Sequence, residues 1–181
     1  MIKLLRENSA LLRFLLICLL GYSSWFIFYT LWLGPQQTVD FWLCNIEAKE
    51  ITFLLKTIGF NMEHLIEEDY KHAFYVDGKR TIGLASSCNG LVLFPLFSLF
   101  ILATPGHWKT KLYYILIGCI AIYHVNILRI ISLVFVKMYS PASLSFNHKY
   151  TFTIVVYSFI FFLWHLWIKK YSHTSPLKNE Q

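Results

Sequence analysis

A chain of 181 residues is long enough for one domain. Its composition, 56% hydrophobic and 18% aromatic with only 14% charged, excludes an ordinary soluble domain. The net charge of +6 does not indicate a nucleic-acid binder, because the basic residues lie at separate ends with no dense patch.

The apolar residues come in long blocks, which predict a polytopic membrane protein. The first block runs from Leu11 to Leu33. It is too long for a cleavable signal, and no small-x-small site follows it, so it reads as a retained helix. From Thr38 to Phe60 the pattern is mixed. Val39, Trp42, Leu43 and Ile46 share one helical face, and Ile51, Leu54, Leu55 and Ile58 form a second set, with EAKE between. The charged break argues against a span and for a helix lying in the outer interface, closed by Gly59. KHAFYV and KRTIGL then flank Asp77-Gly78, a strong two-residue hairpin signal. The second strand runs into SSCNGL, from Ser86 to Leu91.

Three more spans follow. Cys88 to Thr104 contains no charged residue but carries Pro95, where a kink is expected. Leu112 to Val136 carries a single charge, Arg129. Tyr150 to Ile168 is the last. The fold class is thus an all-α membrane bundle of about four transmembrane helices, with an outer interfacial helix and a small β-hairpin. Residues 1–171 form one transmembrane domain and residues 172–181 a disordered cytoplasmic tail.

Charge sets the orientation. Lys3, Arg6 and Arg13, then His107, Lys109 and Lys111, then Lys169, Lys170 and Lys178 fall on one side of a four-span chain. By the positive-inside rule that side is cytoplasmic. Eight of the ten acidic residues lie between Gly34 and Ser87, which therefore faces outward, as does Lys137–Lys149. Both termini are expected inside.

Arg129 lies about 10 Å below the outer end of its span at 1.5 Å per residue. A guanidinium there costs on the order of 3 kcal/mol against lipid, so it must face protein or water and marks a functional site. Asn126, three residues earlier, shares its helix face. Cys88 and His148 (in FNHKY) open the second and fourth spans at the same outer level. A thiol at a helix start is pushed toward thiolate. A histidine can take its proton and return it to a leaving amine, and an arginine can stabilise an oxyanion. The backbone amides of Asn89 and Gly90 could share that last task. A non-enzymatic alternative stands beside this one: a Cys44–Cys88 disulfide, with Arg129 and His148 bridging helices. A haem or quinone protein using His124 and His165 is a further alternative, although each is single on its helix. No metal, P-loop or dinucleotide motif occurs, so no cofactor is expected.

Together SSCNGL, NILRI (Asn126 to Ile130) and FNHKY resemble the signature regions of the exosortase/archaeosortase family, polytopic membrane cysteine transpeptidases of prokaryotes. The resemblance covers roughly Gly59 to the end of the last span, in a short single-core form, and departs from the family pattern at Asn89, where Ser or Ala is usual. It implies Cys88 as nucleophile, Arg129 as the essential arginine and His148 as the histidine partner. It implies substrates that are membrane-anchored secreted proteins with a C-terminal sorting tail of short motif, transmembrane helix and basic end, cleaved through a thioacyl-enzyme. It also implies the cytoplasmic (inner) membrane of a prokaryote, with the site facing outward.

Overall fold

The computed structural model describes residues 9–67 and 71–171. The expected disordered tail at 172–181 and the basic residues Lys3, Arg6 and Lys178 lie outside them.

Helix α1 (Ser9–Phe28) continues through helical turns at Tyr29–Leu33 and Gly34–Gln36. It stops at Gln37, which takes a left-handed φ of 53°. Helix α2 (Thr38–Thr57) follows. Gly59, at φ 97°, closes it as expected: the Phe60 amide donates to Leu55 O and the Gly59 amide to Lys56 O, each at 3.0 Å. Val39, Trp42, Phe53 and Ile58 stay exposed along α2. The opposite face, with Cys44, Ala48, Ile51 and Leu55, is buried.

The expected hairpin is present and larger than expected. Strands β1 (Met62–Glu67), β2 (Lys71–Val76) and β3 (Lys79–Leu84) form one antiparallel sheet in the order β1-β2-β3. Asp77 and Gly78 take φ of 51° and 72°, the pair of positive values that a two-residue turn between twisted strands requires. A register shift between Phe74 and Tyr75 leaves Thr81 without a paired position on β2.

The apolar helices are α3 (Leu93–Ala103), α4 (Trp108–Tyr139) and α5 (Phe152–Lys170). Among the described residues three helical stretches are long and apolar enough to cross a membrane: Leu11–Gln36, Trp108–Tyr139 and Pro141–Lys170. Helix α3 has only 11 residues, about 16 Å against the ~30 Å of a hydrocarbon core. Helix length thus does not reproduce the four-span count. The reason lies at its start, where Ser86–Cys88 is a 3₁₀ turn and the α-helix begins only at Leu93. Pro95 falls in the first turn of α3, where its missing N–H has no helical partner to lose, so it starts the helix rather than kinking it.

Two cores result. The outer one joins α2, the sheet and one end of α4 through Ile51, Leu55, Met62, Phe74, Ile127 and Val134. The inner one joins α3, α4 and α5 through Phe97, Ile101, Ile122, Ile160 and Trp167. Helices α3 and α4 approach closely at Gly118, where a Cβ would run into the Phe97 ring.

Candidate active site

The SSCNGL segment lies on the seam between these cores. Strand β3 ends at Leu84, Ala85 remains extended (φ −91°, ψ 156°), and the 3₁₀ turn brings round Cys88, whose amide donates to Ala85 O at 2.8 Å. Cys88 is therefore ahead of α3, not at its first turn. The helix-dipole argument for its activation does not apply.

Five side chains pin the segment. Asn126 Nδ2 donates to Cys88 O at 2.9 Å and to Glu47 Oε1 at 3.0 Å. Asn89 Nδ2 donates to Asp40 Oδ1 at 2.7 Å, and its Oδ1 accepts the Leu91 amide at 3.0 Å. Tyr29 OH donates to Asp40 Oδ2 at 3.0 Å. Gly90 has φ 73°, so the turn takes glycine for its conformation; a Cβ there would meet Asn126 Cγ at 3.4 Å, an ordinary contact.

Asp40, Glu47, Asn89 and Asn126 are all at most 2% exposed. Buried polar groups persist when they are bonded, and this set bonds its members to one another and to the Cys88 carbonyl. Burial pushes the Glu47 carboxyl up to about 8, against the lowering effects of Asn126 and Arg129. Asp40 and Glu47 were not singled out from the sequence. Their spacing with Cys44, Ala48, Ile51 and Leu55 places them on one α2 face, and an acidic residue on an otherwise apolar stripe was the available signal.

His148 comes from a π-helical turn, Asn147–Thr151, at the head of α5. Its Nε2 lies 3.3 Å from Cys88 Sγ, although the two are 60 residues apart in sequence. Both line a cavity of about 440 Å³, which Ile130 and Leu133 of α4 also line. Arg129 lines an adjoining cavity of about 400 Å³ with Asn89, Gly90, Tyr29 and Tyr157. Arg129 and the Cys88–His148 pair therefore line two different cavities, with Cys88 on one and Asn89 and Gly90 on the other. The cause is helical: Arg129 and Ile130 are about 100° apart around α4, so neighbouring residues face different cavities. Arg129 Nε is buried and makes no hydrogen bond. Its charge favours the ionised form of Glu47.

No disulfide joins Cys44 to Cys88. Cys44 is buried, and that burial pushes its thiol up to about 12. His124 and His165 are both exposed on their helices, and His124 Nδ1 is 2.8 Å from Ile120 O of its own helix. Among the described residues no cluster of three or more His, Cys, Asp or Glu is placed to hold a metal.

A family model described as transmembrane exosortase matches residues 8–170. The match takes in α1 and α2 as well as the later motifs, and so extends well before Gly59. No curated protein and no solved structure matches the chain.

Proposed function

We propose, from the premise that this chain belongs to the transmembrane exosortase family, that it cleaves C-terminal sorting signals of secreted proteins through a thioester on Cys88. The chain is a multi-pass membrane protein of transpeptidase type. The observation that carries the finer reading is the 3.3 Å approach of Cys88 Sγ and His148 Nε2 in the wall of an open cavity.

In this reading His148 Nε2 accepts the Cys88 proton, and the thiolate attacks the carbonyl carbon of the scissile peptide bond. The tetrahedral intermediate collapses with loss of the amine, which takes the proton held by His148. The thioester is then resolved by water or by an amine acceptor, with His148 accepting the proton of the incoming nucleophile. Arg129 acts from the adjoining cavity as a fixed positive charge that favours the thiolate and the oxyanion. Asn126, Asn89 and Gly90 hold the backbone that presents the sulfur. The site works on the outer face of the cytoplasmic membrane. That is the level at which a tail anchored by its own helix leaves the bilayer.

The test is processing of co-expressed secreted proteins that share one C-terminal tail. Cys88→Ala is expected to leave every tail uncut while the protein remains folded in the membrane. Arg129→Gln is also expected to lose most of the processing, because it removes the fixed positive charge that favours the thiolate and the oxyanion. Tail cleavage that persists in Cys88→Ala overturns the reading.

A further inference from the structure

We propose that the outer edge of β3 is the docking site for the substrate's extended segment, which joins the sheet as a fourth strand and lays its scissile carbonyl over Cys88. This rests on the reading of Cys88 as the nucleophile.

Strand β3 is paired on one side only, with β2. The cavity that holds Cys88 and His148 is lined by five consecutive β3 residues: Arg80, Thr81, Ile82, Gly83 and Leu84. Successive side chains of a strand point to opposite faces, so one sheet face presents only alternate residues to a cavity. The bulge at Thr81 accounts for one break in that alternation, and the run on through Ile82, Gly83 and Leu84 places the cavity along the strand's unpaired side. An edge of this kind is a template for another strand, and proteins normally blunt it with charge or cover. Two basic residues line the cavity, Arg80 and Lys137 of α4; Arg80, the one on β3, is turned aside, its Nε and Nη2 donating to the Glu67 carboxylate at 2.7 and 2.9 Å. Ile130 and Leu133 of α4 line the same cavity and give it an apolar side. The opening of about 440 Å³ is the size of a small-ligand pocket and suits a few extended residues.

Continuity with the reactive pair fixes the alignment. Strand β3 leads through extended Ala85 into the 3₁₀ turn that carries Cys88. A carbonyl over Sγ therefore lies just beyond the Leu84 end of the edge. Residues on the amino side of the scissile bond run back beside Gly83 toward Arg80, and the new strand is parallel to β3. Strand addition takes its affinity from main-chain hydrogen bonds and its selectivity from alternate side chains. The enzyme thereby fixes the position of the bond to be cut by a contact that every substrate backbone can make.

The experiment uses the full-length protein in detergent and three alkylating probes for Cys88: iodoacetamide, N-acetyl-alanyl chloromethyl ketone and N-acetyl-tetra-alanyl chloromethyl ketone. Alanine side chains leave the backbone as the variable. Iodoacetamide reports the thiol alone, and its failure to modify Cys88 would defeat the parent reading rather than the docking site. With the thiol reactive, the tetra-alanyl probe is expected to alkylate Cys88 at least tenfold faster than the mono-alanyl probe. N-methylation at alternate alanines should remove that advantage, and at the intervening ones leave it. Photo-reactive p-benzoyl-phenylalanine in place of Arg80 should then cross-link to the amino end of the bound peptide. Equal rates for the two ketones, indifference to N-methylation, or no cross-link at position 80 would each overturn the proposal.

Discussion

The outer layer and the helical bundle are built on opposite terms. The bundle core of α3, α4 and α5 is apolar and aromatic, and its polar atoms are few: Trp167 Nε1 donates to Thr104 Oγ1 at 2.7 Å and Tyr114 OH donates to Leu163 O at 2.7 Å. The outer layer buries Asp40, Glu47, His72, Asn89 and Asn126 beside its apolar residues. Such groups are costly unless paired. They are retained where a short irregular segment must be held in one conformation, and that segment carries Cys88. The bundle provides depth and the outer layer provides position.

The comparison breaks most sharply at the seam. His148→Ala is expected to slow tail processing by about 10²–10⁴-fold, the usual contribution of a positioned acid–base group. The thermal midpoint in detergent should hold, because His148 is an exposed side chain. A midpoint that falls with the activity would mean that His148 is structural.

Asn126→Leu removes the donor from both the Cys88 carbonyl and Glu47. Two buried acceptors lose a partner, so about 2–4 kcal/mol of stability should go, read from thermal unfolding. In the bundle, Gly118→Leu should cost about 1–3 kcal/mol by overpacking against Phe97. The reactivity of Cys88 toward iodoacetamide should change in the first variant and not in the second. The same loss in both would erase the distinction between the two regions.

A smaller effect is a slope. The Glu47 carboxyl is raised by burial to about 8 from an ordinary 4.5. Its neutral form is favoured in the folded state. That contribution is fully present below the unfolded value and is lost as pH rises through the folded one. Glu47→Gln should therefore flatten the decline in thermal midpoint across that window, and parallel curves for the two proteins would contradict the assignment. Least of all, Arg80→Ala should cost below about 1 kcal/mol, because its bridge to Glu67 is solvent-exposed. A larger loss in urea or thermal unfolding would show that this ion pair carries part of the sheet's stability.

What the sequence disclosed follows the range of the interactions. The turn at Asp77-Gly78 and the closure at Gly59 obey rules that act within a few residues, and both are where the sequence puts them. Cys88 and His148 were singled out together by their common depth, which span ends define. Strand β1 was missed because MEHLIE shows no clean alternation, and its pairing with β2 is a tertiary fact. Asp40 and Glu47 were missed for a similar reason. Their partners Asn89 and Asn126 lie 49 and 79 residues away, and hydropathy cannot tell a buried bonded carboxylate from a solvated one. The division between the Cys88 and Arg129 cavities turns on one residue's angle around α4, which span assignment does not resolve.

The central claim is that Cys88 becomes acylated during turnover. Membranes carrying the protein and a tailed substrate can be quenched in acid and the peptide containing Cys88 weighed. The account predicts an added mass equal, less one water, to the peptide that ends at the substrate's new C-terminus, released by hydroxylamine, and absent from Cys88→Ala. Processed substrate that accumulates with no hydroxylamine-sensitive adduct on Cys88, in a protein whose Cys88→Ala variant still cuts, would contradict it.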